Sequence, residues 1–147
     1  MQANVSDEHF RKLERMYASA PINRWYEPVL HVAEGVTKLT MHVRPEYFHA
    51  ANAIHGSIYF KALDDSAFFA ANSLVTDVFV LTVSFNLHIV RPVSGGELRA
   101  SGIVVHRSRS LIVADSEVHD SEGRQVARGT GTFLPSKIAL SAEIGYA

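Results

Sequence analysis

A histidine, a glycine and a serine at 55–57, followed by adjacent aspartates at 64 and 65, are the residues whose types and spacing suit chemistry. They lie within Asn52 to Ser73, a stretch that reads as a helix apolar on nearly every side and therefore buried at the centre of a domain. An ionised carboxylate in such a place is costly unless something pairs with it or uses it. The start of the helix exposes N–H groups that lack intrahelical partners and are backed by the macrodipole. Gly56 has no side chain, so a ligand oxygen can come close to its N–H. Such a site can polarise a carbonyl and hold the oxyanion formed on attack, with a carboxylate as base or nucleophile. A structural reading stands beside it: Gly56 as a tight turn, His55 as a cap, and the aspartates as a capped or salt-bridged pair at the helix edge.

Adjacency separates the two aspartates. On a helix Asp65 points about 100° away from Asp64, so the pair does not share one face. Lys61 stands four residues before Asp65, at the spacing of a helical ion pair; the other possibility is that Asp65 faces a neighbouring chain. Other motifs drop out. The chain has eight histidines, but none sit at i, i+4 on a helix, and His9, His31, His42, His106 and His119 are scattered, so no metal site is expected. There is no Gly-x-Ser-x-Gly elbow. Gly129-Thr-Gly131 lies in a late strand rather than between a strand and a helix, which reads as small residues where another group comes close.

The elements that must position these groups follow from periodicity. Ser6 to Ala18 predicts a first helix, with Ser6 as N-cap and Phe10, Leu13, Met16 and Tyr17 at helical spacing. Pro21 and Pro28 bound an irregular segment holding Trp25, Gly35 to Arg44 predicts a strand, and Pro45 to Ile54 a loop into the central helix. Four further strands are expected at Val78–Val90, Glu97–His106, Leu111–Asp120 and Gln125–Leu134. Their short connections predict an antiparallel meander. In the first of them Leu81, Val83, Phe85, Leu87 and Ile89 alternate onto one face, with Thr82, Ser84, Asn86 and His88 on the other. The order predicts an α+β domain in which one antiparallel sheet curls round the long helix, with residual edges that favour oligomers.

Composition sets the outer limits. The chain has 147 residues, 47% of them hydrophobic, enough for one domain spanning 1–147 with a real core. A net charge of −1 argues against general nucleic-acid binding. No apolar run reaches the roughly 20 residues that span a bilayer. The polar segment Met1 to Met16 reads as neither signal nor transit peptide, and the lack of cysteine excludes disulfides and is compatible with a reducing cytoplasm.

These residues resemble the hotdog-fold acyl-CoA thioesterases, in particular those like the phenylacetic-acid-degradation enzymes of the 4-hydroxybenzoyl-CoA thioesterase superfamily. The pattern of that group is His-Gly-Gly before a buried helix whose acidic residue lies nine positions after the histidine, and here His55 plus nine is Asp64. Ala67–Ser73, Phe85–Pro92, the Gly95-Gly96 turn and Glu122–Phe133 extend the likeness over about residues 34–135. The resemblance implies hydrolysis of an acyl-CoA thioester without cofactor or metal. It implies that the Gly56 N–H meets the thioester carbonyl, that Asp64 is nucleophile or base, and that Thr82 orients water. Independently of the resemblance, apolar surroundings are expected to raise the Asp64 pKa, partly offset by the helix and hydrogen-bond donors. Two positions depart from the pattern: His49 stands where an Asn or Gln often contacts the thioester, with Asn52 nearby, and Ser57 replaces the second glycine. Ser57 then changes the pocket's shape.

Helix geometry adds a conclusion of its own. Eight residues at about 1.5 Å each separate Gly56 from Asp64 by about 12 Å, so one helix does not bring both to one carbonyl carbon. Two antiparallel helices in a two-fold dimer do, which predicts a homodimer sharing its active sites. A homotetramer of such dimers is a separate expectation, not one that the helix geometry gives. Coenzyme A phosphates call for cations, and Arg91, Arg107, Arg109, Arg128 and Lys137 are the candidates. Phe68, together with Tyr59, Phe60 and Phe69, suggests an aromatic pocket or ordinary core. Two other functions suit the same fold: a non-catalytic acyl-CoA-binding or regulatory module, and a hydroxyacyl thioester dehydratase.

Overall fold

Helix α3, Gly56–Asn72, organises the structure, and its ends show why it starts and stops where it does. His55 takes an extended conformation (φ −63°, ψ 149°), and its Nδ1 accepts the Ser57 N–H at 3.0 Å, an N-cap made by an imidazole. At the other end the Asn72 amide donates to the Val75 and Val78 carbonyls while its Oδ1 accepts the Val80 N–H. One buried side chain thus turns the chain from helix into strand. Eleven of the 17 residues of α3 are buried, and the helix touches all six strands. The computed structural model describes the backbone of residues 5–147 and the side chains from Asp7 onward.

The strands are β1 (Val29–Ala33), β2 (Val36–His42), β3 (Val78–Ile89), β4 (Glu97–Arg107), β5 (Ile112–His119) and β6 (Gln125–Ala139). They form one antiparallel sheet in the order β1-β2-β4-β5-β6-β3, curled round α3. Leu39, Met41, Leu98, Ile112, Ala114, Val118 and Phe133 of the sheet share one buried core with Leu63, Ala67 and Phe69 of the helix. Burying each of the larger side chains is worth about 1.5–3 kcal/mol. Helix α1 (Val5–Ser19) lies on β1 and buries Phe10, Leu13, Met16 and Tyr17, the residues at helical spacing. The Ser6 cap falls on a side chain outside the described residues. A short α2 (Asn23–Tyr26) follows, within the segment expected to be irregular.

Four details correct the expected arrangement. First, β3 does not pair with β4; it pairs with β6 and forms an edge of the sheet. The Pro92–Gly96 segment is a crossover across the end of the sheet, where Ile54 N–H donates to the Val93 carbonyl and Val43 N–H to the Gly96 carbonyl. Pro92 with the Gly95-Gly96 pair marks a change of direction but not its span.

Second, the alternation in β3 breaks. A register shift between Thr82 and Ser84 inserts a bulge, so Thr82 faces the helix with Phe85 and Ile89, whereas Leu81 and Val83 stay 44% and 52% exposed. Third, Gly35 is the turn of a β1–β2 hairpin (φ 69°), and the preceding five-residue strand gave too short a pattern to read. Fourth, β6 continues past Leu134 through Pro135 to Ala139. Its pairing with β5 ends at Phe133, so from there it is bonded on one side only, a position that tolerates a residue without an N–H.

Glycines mark the tight places. A Cβ on Gly102 of β4 would stand 2.2 Å from the Ser66 carbonyl oxygen of α3, which also accepts the Thr37 hydroxyl at 2.6 Å. Cβ atoms on Gly129 and Gly131 would strike the Phe85 ring, so the Gly-Thr-Gly run in β6 makes room for that ring.

Candidate active site

Asp64 projects from the middle of α3 toward β3, where the Thr82 hydroxyl donates to its Oδ1 at 2.9 Å. The β3 bulge is what brings Thr82 to this side of the sheet. Burial pushes the Asp64 carboxyl up to about 6; the Thr82 hydrogen bond opposes the shift, the neighbouring Asp65 charge adds to it and Lys61 opposes it. A carboxyl in that range ionises close to neutrality, as a general base or nucleophile requires.

Asp65 occupies a different environment. The Lys61 Nζ lies 2.6 Å from its Oδ2, which also accepts the Tyr17 hydroxyl at 2.5 Å. Lys61 is itself held by the Asn23 side-chain oxygen at 2.8 Å and stands over the Tyr17 and Tyr26 rings. Burial raises the Asp65 carboxyl while Lys61 and Tyr17 pull it down, and burial with the adjacent aspartates pushes the Tyr17 hydroxyl far up. Asp65 thus has its partners supplied within the chain, whereas Asp64 has a single donor. Tyr17 was legible in the sequence only as a core residue, because its partner lies 48 positions away.

Asp64 and Thr82 border a cleft of about 780 Å³, a size that suits a small organic ligand. Phe68, Phe79 and Leu81 line it on the α3 and β3 side, and the end of α1 with residues 142–145 lines the other. The contribution of that C-terminal segment had no signal in the sequence.

The remaining candidates gather elsewhere. At the N-terminal end of α3, among the described residues, the Gly56 N–H has no acceptor. A Cβ there would make only an ordinary 3.4 Å contact with Ile89, so the fold of one chain does not itself require glycine. His55 and Ser57 are exposed beside it, their side chains hydrogen bonded at 2.8 Å. His49 and Asn52 are exposed on the preceding loop; the His49 Nδ1 accepts the Ala51 N–H at 3.0 Å, and Asn52 takes a left-handed conformation (φ 62°). Arg91 is fastened to the same end through its carbonyl, which accepts the Tyr59 hydroxyl at 2.9 Å. Arg128 lines a separate hollow with Asn86 and His88. Arg107 and Arg109 line another beyond the C-terminal end of α3, where Arg107 donates to the Leu74 carbonyl. The four arginines therefore do not converge within one chain, and the two halves of the expected site lie apart along α3.

The sequence profile of the thioesterase superfamily matches residues 51–127, which contain both halves. The chain belongs to the thioesterase superfamily. Its members' hotdog fold is the one described above. The PaaI protein of the Escherichia coli phenylacetic acid degradation operon superposes with a TM-score of 0.84 at 20% identity, covering 94% of this chain and 100% of that one. A thioesterase family protein from Silicibacter pomeroyi gives 0.80 at 24% identity, with 86% and 96% covered. A Saccharolobus solfataricus protein provisionally named an esterase is 20% identical over 93% of this chain and 94% of its own length. As a superfamily member the chain is a thioester hydrolase. Among the described residues no helix is long and apolar enough to cross a membrane.

Proposed function

We propose that this thioester hydrolase is an acyl-CoA thioesterase whose active site is completed by a second copy of the chain. The observation that carries the reading is the division of labour along α3. Burial pushes the Asp64 carboxyl up to about 6 at the border of a mainly apolar cleft, while among the described residues the Gly56 N–H has no acceptor at the helix start, about 12 Å away. An antiparallel pair of α3 helices places the Gly56 of one copy opposite the Asp64 of the other. The edge strand β3 supports that pairing. Its 12 residues contain neither Lys nor Pro to blunt it, and Leu81, Val83 and Ile89 are exposed along it.

In this site the thioester carbonyl oxygen accepts the Gly56 N–H, and the acyl group lies in the cleft. Asp64 as base takes a proton from water while the water oxygen attacks the carbonyl carbon. The oxyanion is held at Gly56 until the C–S bond breaks, and the departing thiolate takes up the proton that Asp64 received, which restores the carboxylate. Asp64 as nucleophile instead attacks the carbonyl carbon and displaces the thiolate, forming a mixed anhydride that water then hydrolyses to the free acid and the Asp64 carboxylate. Thr82 keeps the carboxylate ionised and aimed. Asn52, His49, His55 and Ser57 surround the thioester's approach, with Arg91 beside them as the first cation for coenzyme A; Arg128, Arg107 and Arg109 are the others. The cleft's Phe68 and Phe79 suit an aromatic or medium-chain acyl group.

Thiol release from a panel of acyl-CoAs tests the reading. The wild type is expected to turn over at least one of them, and Asp64→Asn to lose about 10²–10⁴-fold in kcat with its fold intact. Near-normal turnover by Asp64→Asn removes Asp64 from the chemistry. Thioester binding without hydrolysis by the wild type favours the binding-module alternative.

A further inference from the structure

The segment after β6 follows a path that neither the hydrolytic chemistry nor the sheet demands. From Ser141 it makes a 3-10 turn at Ala142–Ile144, passes Gly145 (φ 91°) and closes on itself through the Tyr146 N–H to the Ser141 carbonyl at 3.0 Å. One face of α1 fastens it. The His9 Nδ1 meets the Tyr146 hydroxyl at 2.7 Å, and Lys12 Nζ stands 5.3 Å from the centre of the same ring. A Cβ on Gly145 would lie 2.5 Å from the Ser19 Oγ, so the segment lies tightly against the helix. His9 is buried, and its Nε2 donates to the Asn72 carbonyl at 3.0 Å, tying the strap to the end of α3 as well. What this anchoring holds in place is Glu143 and Ile144, which line the cleft that Asp64 and Thr82 border.

The charges around that cleft are one-sided. Asp64, Asp65 and Glu143 are acidic, and Lys61, the cation among its described lining residues, is already held by Asp65 and Asn23. We propose that the strap Ser141–Ala147 is the specificity wall of the acyl cleft. Ile144 limits the size of acyl group that fits, and Glu143 with the paired state of Lys61 bars acyl groups ending in a carboxylate. The substrate class is thus an uncharged, apolar acyl thioester of limited length. His9 is a positioning residue that acts through Tyr146. This rests on the reading that the cleft takes the acyl group.

The test uses Ile144→Ala, Ile144→Trp and Glu143→Lys in the full chain, on a series from butyryl- to palmitoyl-CoA plus adipyl-CoA. The readout is the ratio of kcat/KM between long and short acyl groups, which a general loss of folded protein leaves unchanged. Ile144→Ala is expected to raise the long-to-short ratio by about tenfold or more and Ile144→Trp to lower it similarly. Glu143→Lys is expected to raise adipyl-CoA relative to hexanoyl-CoA. Calorimetric binding of the non-hydrolysable S-alkyl-CoA thioethers of the same lengths runs alongside. If the wild type binds these without hydrolysing the thioesters, and Ile144→Trp selectively loses the long ones, the wall stands and the catalytic reading falls. Ratios within twofold of wild type in all three variants, by turnover and by binding, overturn the wall.

Discussion

At the scale of single residues the site depends on how two adjacent carboxylates are treated. Asp65 receives a lysine and a tyrosine hydroxyl, Asp64 a lone threonine hydroxyl. Helical adjacency made the separation of the two readable in sequence, as did the Lys61 spacing. The partners Tyr17 and Asn23 were hidden, since they come from α1 and α2 and no local pattern ties them to position 65. The consequence for pH is direct. Asp64 must be ionised to act, so kcat/KM rises about tenfold per unit of pH on the acid side and levels off above about 6. Thr82 stabilises the ionised form. Removing its hydroxyl in Thr82→Val leaves burial and Asp65 less opposed, and the acid limb moves to higher pH. Profiles of the two proteins on one acyl-CoA check this; an unmoved or acid-shifted limb shows that the hydroxyl does not tune the carboxylate.

At the scale of elements, function depends on where α3 lies against the sheet and on which face of β3 it meets. The existence of α3, of β2 and of the β4-β5-β6 meander was legible because periodicity and turn residues are local signals. The β3–β6 pairing was not, because edge position depends on where the chain returns much later. The bulge that turns Thr82 inward also left no trace, since Leu81 to Ile89 alternates perfectly in sequence. The seam between helix and sheet is set by Gly102, whose missing side chain lets the Ser66 carbonyl and the Thr37 hydroxyl meet. Gly102→Ala forces backbone apart there and is expected to destabilise the protein by about 2–3 kcal/mol. Gly95→Ala, with nothing within 4 Å, is the neutral control. Denaturant midpoints of the two variants compare them, and equal midpoints remove Gly102 from the seam.

At the scale of the whole molecule, the free N–H of Gly56 and the carboxylate of Asp64 are separated by a rigid helix, and no side-chain motion closes about 12 Å. A site shared between two copies has a signature that a self-contained site lacks. Gly56→Val blocks the approach to the N–H; a Cβ there meets Ile89 at an ordinary 3.4 Å, and far-UV circular dichroism checks that the larger side chain leaves the fold intact. Asp64→Asn disables the other half. Each variant alone is expected to be nearly inactive. Unfolded together in equal amounts and refolded, they form mixed dimers in which one of the two sites draws Gly56 from one chain and Asp64 from the other, both intact. Half the dimers are mixed and half of their sites work, so activity returns to about one quarter of wild type. If Gly56 and Asp64 served one site within a single chain, each chain would carry one lesion and mixing would restore nothing. Titrating the ratio of the two chains sharpens the comparison, because recovered activity then follows the product of their fractions and peaks at equality.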